Sequence, residues 1–149
     1  MEFKLSQGNN GEIFKDASRL RKSIFVQEQG ISDTVDEDGR DPQSTHLVIY
    51  DQEQNKAIAT GRLSPEGSEK GCLSRIAVSS EYRGHQLGQK VIRSLEAEAA
   101  KQGLHYLYLV PHAHLENFYS RLGYTTIPDK ADLVGDYPLI YMEKWLSPS

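Results

Sequence analysis

Cysteine is nearly absent: Cys72 stands alone in 149 residues. An internal disulfide framework is thereby excluded, and a reducing, cytoplasmic setting is expected. Long apolar runs are missing too. None approaches the ~20 residues of a membrane-spanning helix, so no membrane partner is expected. The opening stretch MEFKLSQGNN has neither the basic nor the apolar region of a signal peptide. There is no excess of positive charge. The formal net charge of −4 argues against wholesale nucleic-acid binding and is compatible with cationic small molecules as partners. Internal repeats, low-complexity segments and long linkers are absent. What remains is 38% apolar and 26% charged, a soluble globular composition at a length that suits one domain over 1–149.

The residues present divide into periodic segments. FKLS (3–6) reads as a short strand. NNGEIFKDASRLRKSIFVQEQG (9–30) reads as a helix, capped by Asn9 or Asn10, with an apolar stripe of Ile13, Ala17, Leu20 and Ile24 and a stop at Gly30. Residues 31–44 read as a polar loop. THLVIY, AIATGRL and CLSRIAV are three successive strands. HQLGQKVIRSLEAEAAKQG (85–103) is a second long helix with Leu87, Val91, Leu95 and Ala99 on one face. LHYLYLV is a strand, AHLENFYSRLG a short helix ending at Gly123, and YTTI and YPLIYMEKW the last strands. The order is β-α-βββ-α-β-α-ββ. Three consecutive strands favour antiparallel pairing, and the strand–helix–strand unit at 72–109 favours a parallel pair through a right-handed crossover. The expected fold is α/β (α+β): a mixed central β-sheet flanked by helices.

In EYRGHQLGQKV (81–91), Gly84 and Gly88 lie where a strand feeds a helix. The first-turn N–H groups of a helix lack partners and the helix dipole adds partial positive charge, so this junction suits an anion. Glycines let a phosphate approach the backbone, and Arg83 adds a charge-assisted contact. A capped amphipathic helix with incidental glycines explains the same residues. Known phosphate loops do not fit. Gly88 is followed by Gln89 and Lys90, without the Ser or Thr that binds magnesium in a P-loop, and position 86 is glutamine where the dinucleotide fingerprint needs glycine. Nor is a metal site expected. With Gly39 at the sixth position of a calcium loop, Thr34 stands first and Thr45 twelfth, and no histidine or cysteine spacing fits zinc.

RIAVSSEYRGHQLGQKVI followed by HLENFYSRLGY resembles the GNAT superfamily, the acetyl-CoA-dependent N-acetyltransferases. LRKSIFVQEQGI, the acidic DEDGRD and THLV are similar to its ElaA-like branch. The resemblance covers nearly the whole chain, and departs from the usual phosphate loop at Gln86, where glycine is usual. It implies the GNAT acyl-CoA N-acyltransferase fold, with acetyl-CoA as acetyl-donor co-substrate lying between the strands at 72–79 and 104–109. Ile76, Ala77 and Val78 border it. Arg83, Gly84, His85, Gln86, Leu87, Gly88 and Gln89 are the expected pyrophosphate loop.

The resemblance also implies a tyrosine at the thioester sulfur, at position 119. An amine attacks the acetyl carbonyl, and the departing thiolate wants a proton or hydrogen bond. Leu115, Phe118, Tyr119 and Leu122 equally make an ordinary apolar helix face. His112 stands where the family often has asparagine or glutamine near the pantetheine arm; a histidine there either supplies the same hydrogen bond or serves as a group that titrates near neutral pH. Glu28 falls near the buried face of the first helix, and an unpaired buried carboxylate is rare. His46, Arg62 and Arg75, on three consecutive strands, are candidate partners. They are either a structural ion-pair network or, with Glu28, a substrate cleft in which Glu28 orients the amine and an arginine binds a carboxylate. Catalytic candidates are Tyr119, His112 and His46, the histidines as water-relayed bases. The expected activity is direct transfer of acetyl from acetyl-CoA to a primary amine of a small molecule. A non-catalytic acyl-CoA-binding regulatory module and a phosphotransferase stay open as alternatives, as does a homodimer.

Overall fold

The computed structural model describes residues 1–29, 38–134 and 137–146. Its elements run β1 (Glu2–Gln7), α1 (Glu12–Arg21), a π-helical continuation (Lys22–Glu28), β2 (Thr45–Asp51), β3 (Lys56–Glu66), β4 (Lys70–Val78), α2 (Leu87–Lys101), β5 (Tyr106–Leu109), α3 (Glu116–Arg121), β6 (Thr125–Val134) and β7 (Tyr137–Trp145). The seven strands form one sheet in the order β1-β2-β3-β4-β5-β7-β6. β4 and β5 are parallel, across the α2 crossover, and the other pairs are antiparallel. The mixed sheet with helices on both faces is the architecture that the element order predicts.

The two faces bury different chemistry. On one, α2 sets Leu87, Val91, Ile92, Leu95 and Ala99 against Leu47, Ile49, Leu63, Leu73, Leu107 and Leu109. At roughly 1.5–3 kcal/mol per buried large apolar side chain, this layer holds the sheet together. It needs Gly61: a Cβ there would sit 2.4 Å from Val91 Cγ1, so only glycine lets α2 approach β3 this closely. On the other face α1 and its π-helical continuation bury Ala17, Arg21 and Ile24, at 0, 1 and 3% exposure.

Three local expectations need correction. The α1 stripe runs through Arg21 in place of Leu20, which is only partly buried, because the Arg21 guanidinium has an acidic partner inside. The first helix leaves α-geometry at Lys22 and continues as π-helix to Glu28. Its N-cap is Gly11, at φ 102° and without a side-chain cap, so neither Asn9 nor Asn10 caps it. Of the loop expected at 31–44, residues 31–37 lie outside the described residues, and Asp41–Gln43 form a 3₁₀ turn.

Candidate active site

β4 and β5 run together only from Lys70 to Leu73, opposite Tyr106 to Leu109. Beyond Leu73, β4 continues to Val78 with β3, among the described residues, as its ladder partner. The chain after β5 follows β7 instead: Ile140 N–H donates to the Pro111 carbonyl at 3.0 Å, and His112 bridges to Leu139. The strands therefore part. A bulge in β4 accompanies the parting. Thr60 pairs with Ala77 but Arg62 with Ser74, so β4 carries one extra residue, and Arg75 takes a left-handed φ of 56°. Among the described residues, Ser74–Val78 have no ladder partner on the β5 side. That leaves a row of backbone donors and acceptors facing the gap, suited to an extended ligand.

The open stretch of β4 leads into the glycine loop. Ser80–Tyr82 make a 3₁₀ turn, Gly84 sits at φ 87°, and Gln86 caps α2 in the left-handed conformation, φ 62° and ψ 23°. Arg83 Nε donates to the Val78 carbonyl at 3.1 Å and ties the loop to the strand end. Val78, Tyr82, Arg83, Gly84, Gln86, Leu87, Gly88 and Gln89 line a cavity of about 410 Å³ that Phe118, Arg121 and Leu122 close from the α3 side. The α2 N-terminus and two arginines thus border one recess, which fits a pyrophosphate. Most of the expected loop is brought together here. His85 is exposed and does not line the cavity, while Ile76 and Ala77 lie upstream on the free stretch of β4.

Tyr119 is 5% exposed, and its ring meets Phe118 and Tyr124 edge-on at 4.9 and 6.2 Å between centroids. Burial pushes its pKa up to about 12, so the hydroxyl keeps its proton at neutral pH. No hydrogen-bond partner for that hydroxyl is found among the described residues. A buried unpaired hydroxyl costs about 1–3 kcal/mol, and such groups in native proteins call for an explanation. Tyr119 belongs to the α2-side core. His112 is half-buried at the end of β5, its ring 5.7 Å from that of His114. Burial, then the neighbouring His114, lowers its pKa, so it is neutral and able to accept a proton.

His46, Arg62 and Arg75 meet on the α1 face, across the sheet from Tyr119. Arg62 is 1% exposed. It donates to both Asp38 oxygens at 2.9 and 2.7 Å, to Asp41 Oδ1 at 3.0 Å and to Ser74 Oγ at 3.0 Å, which occupies four of its five N–H donors. Arg21 Nη1 reaches the same Asp41 oxygen at 2.9 Å, and Arg75 Nη2 reaches Asp38 at 3.2 Å. Burial resists ionisation of both aspartates, but hydrogen bonds and charge from Arg62, and from Arg21 at Asp41, outweigh it and hold both carboxyls below their ordinary range. His46, also 1% exposed, lies with Nε2 3.2 Å from the Asp41 carbonyl. Burial lowers its pKa. The backbone of Glu28 ends the π-helical segment, and its side chain lies outside the described residues.

The acetyltransferase family model described as "Acetyltransferase (GNAT) family" matches residues 12–124. The chain belongs to the GNAT family. It is 31% identical over 135 residues to the uncharacterized N-acetyltransferase YjcF of Bacillus subtilis, covering 91% of this chain and 94% of YjcF. The crystal structure of Escherichia coli ElaA superimposes with a TM-score of 0.83 at 23% identity, over 96% of this chain and 98% of that one. An aminoglycoside 6′-N-acetyltransferase complexed with coenzyme A shares the fold, with a TM-score of 0.78 at 22% identity over 100% and 99% of the two chains. Membership makes the chain an acyl-CoA-dependent acetyltransferase.

Within this GNAT frame, sequence reading missed five features of the site. Phe118 and Arg121 line the recess, yet in FYSRLGY they look like helix-face and surface residues. Asp38 and Asp41 organise the arginines, but they lie in a loop whose Asp-Gly pair reads as a solvated turn. The alternation of β4 gave no sign of its bulge.

Proposed function

We propose that this chain is a single domain that transfers acetyl from acetyl-CoA directly to a primary amine of a small molecule. The observation that carries this reading is the buried Tyr119 hydroxyl, protonated and without a partner among the described residues, in the helix that also closes the arginine-lined recess. The recess takes the pyrophosphate and the free edge of β4 takes the pantetheine arm. Tyr119 then donates to the thiolate as it leaves. His112, neutral at the end of β5, accepts the proton that the amine sheds, through water. Direct transfer fits the state of Cys72. It is buried, and burial raises its thiol pKa, which disfavours the thiolate that a covalent acyl-enzyme needs.

His46 and Arg62 serve better as the scaffold of the α1 face than as base and substrate ligand, since both are sealed from solvent. The exposed end of their network, Arg75 with Asp38 beside the β4 bulge, is where an acceptor would meet it. The coenzyme A-bound aminoglycoside acetyltransferase supports a small-molecule acceptor by fold alone.

The test is a panel of primary amines, from monoamines to polyamines and amino sugars, assayed by thiol release and by mass of the product. Amine-dependent thiol release matched by one acetyl per acceptor is expected. Acetyl-CoA binding without transfer to any amine would leave only the binding-module reading.

A further inference from the structure

β1 is an edge strand whose ladder partner, among the described residues, is β2 alone. Among the described residues, nothing hydrogen-bonds its outer backbone groups. Met1, Phe3 and Leu5 are 56, 43 and 43% exposed. Phe3 and Leu5 stand opposite Ile49 and Leu47, which puts them on the α2 face, at the rim of the core. Phe3 is also one wall of a groove of about 260 Å³ whose other side is α2, at Lys90 and Ser94. On the opposite face Lys4 Nζ lies 3.5 Å from Glu2 Oε1, with side chains 47 and 44% exposed. Proteins usually blunt such an edge with a charge, a proline or a bulge. Here the charges come as a balanced pair. Met-Glu-Phe-Lys-Leu reads apolar, charged, aromatic, charged, apolar from either end, with opposite signs about the centre.

We propose that β1 pairs antiparallel with β1 of a second copy of this chain, about a two-fold axis at Phe3, and so joins the two sheets into one. Charge and face select this register. Centred on Phe3, each Glu2 faces Lys4 of the other copy, Phe3 faces Phe3, and each Leu5 faces Met1. Both ion pairs fall on the α1 side and every apolar contact falls on the α2 side, over the groove. Centring on Lys4 lengthens the ladder to Met1–Gln7 but sets lysine against lysine, and like charges directly opposite are destabilising. Centring on Leu5 sets Phe3 against Gln7 and leaves both lysines opposite Ser6. Opposite-charge and aromatic cross-strand pairs each stabilise a sheet, and strand addition satisfies the open edge. A ladder this short lies at the low end of specific interfaces, so the dimer forms with rising concentration.

Sedimentation velocity over a concentration series tests the proposal on wild type, Lys4→Glu and the swap Glu2→Lys with Lys4→Glu. Wild type is expected to shift from monomer toward dimer. Lys4→Glu sets like charges against Glu2 and weakens the dimer at least tenfold. The swap restores it, because opposite charges again face each other; a Lys4-centred register would instead keep glutamate against glutamate at position 4. A wild type that stays monomeric throughout, a Lys4→Glu variant that dimerises like wild type, or a swap without rescue would each overturn the proposal. Melting temperature and acetyl-CoA affinity, measured on all three, separate this outcome from the proposed activity, since neither substituted residue touches the cofactor recess.

Discussion

Tyr119 sets a packing gain against the cost of burying a hydroxyl. Its ring earns its place in the core through Phe118 and Tyr124, while its hydroxyl sits there without a partner among the described residues. Replacement by phenylalanine keeps the ring and removes the unpaired group. Such a deletion is neutral or stabilising when the buried partner is missing anyway, so the melting temperature should hold or rise. Acetyl-CoA should still bind. If the hydroxyl meets the departing thiolate, its contribution belongs to the transition state, and kcat should fall with little change in KM. General-acid assistance is typically ~10²–10⁴-fold, and a thiolate already leaves readily, so a loss of roughly tenfold to a hundredfold is expected. Thiol release at saturating amine measures it. Wild-type kcat would make Tyr119 a packing residue and leave His112 or water as the donor.

The α2 N-terminus shows which parts of an element a sequence displays. Its 3.6-residue apolar period and paired glycines are visible in the chain, and the helix and loop follow from them. The reason for each glycine is not visible. Gly84 needs its positive φ. Gly88 does not: a Cβ there would lie 3.5 Å from Phe118 Cζ, an ordinary contact. Gly88→Ala should therefore fold and bind acetyl-CoA close to wild type, whereas Gly88→Glu puts a carboxylate into the recess and should weaken acetyl-CoA binding strongly, as calorimetry on the folded variants would read. Equal affinity in both would remove the pyrophosphate from this site. Gln86, the departure from the family pattern, occupies the left-handed cap where glycine is the easy residue. Left-handed backbone costs a non-glycine residue about 1–2 kcal/mol, and glycine returns part of that as lost chain entropy. Gln86→Gly should thus raise stability by up to about 1 kcal/mol, or roughly 2–4 °C in Tm. A lower Tm would show that the Gln86 side chain makes contacts worth more than the strain. The bulge at Arg75 and the parting of β4 from β5 had no such signal, because a strand pattern shows which residues alternate and not where a neighbour leaves.

Across the whole molecule, the apolar α2 face and the ionic α1 face are held by different forces, and pH tells them apart. Arg21 of α1 and Arg62 of β3 converge on Asp41, which fastens the first helix to the middle of the sheet through charge. Sequence periodicity could not show this, since the ion pair joins positions 21 and 41 through a loop and places an arginine where an apolar stripe was expected. The folded pKa values of Asp38 and Asp41 are depressed. Their contribution to stability is therefore complete above the unfolded carboxylate value, ~3.9, and is lost as pH falls below it toward the folded values. His46, whose pKa is also lowered, acts earlier. Its neutral burial is fully favourable above ~6.5 and weakens as pH drops and the unfolded imidazole takes a proton. Wild-type Tm should decline in two stages, gently below about pH 6.5 and steeply below about pH 4. Asp41→Asn breaks a buried pair, a loss of about 3–5 kcal/mol in general. The low end applies here because Arg62 keeps Asp38. A fall of roughly 6–12 °C at pH 7 follows. Near pH 3 the wild-type carboxylate is losing its own advantage, so the two melting curves should converge. Acetyl-CoA affinity at pH 7 should change little, since Asp41 lies on the face away from the recess. Curves that stay parallel from pH 7 to pH 3 would show that Asp41 holds α1 through packing and neutral hydrogen bonds, without net stabilisation from its charge.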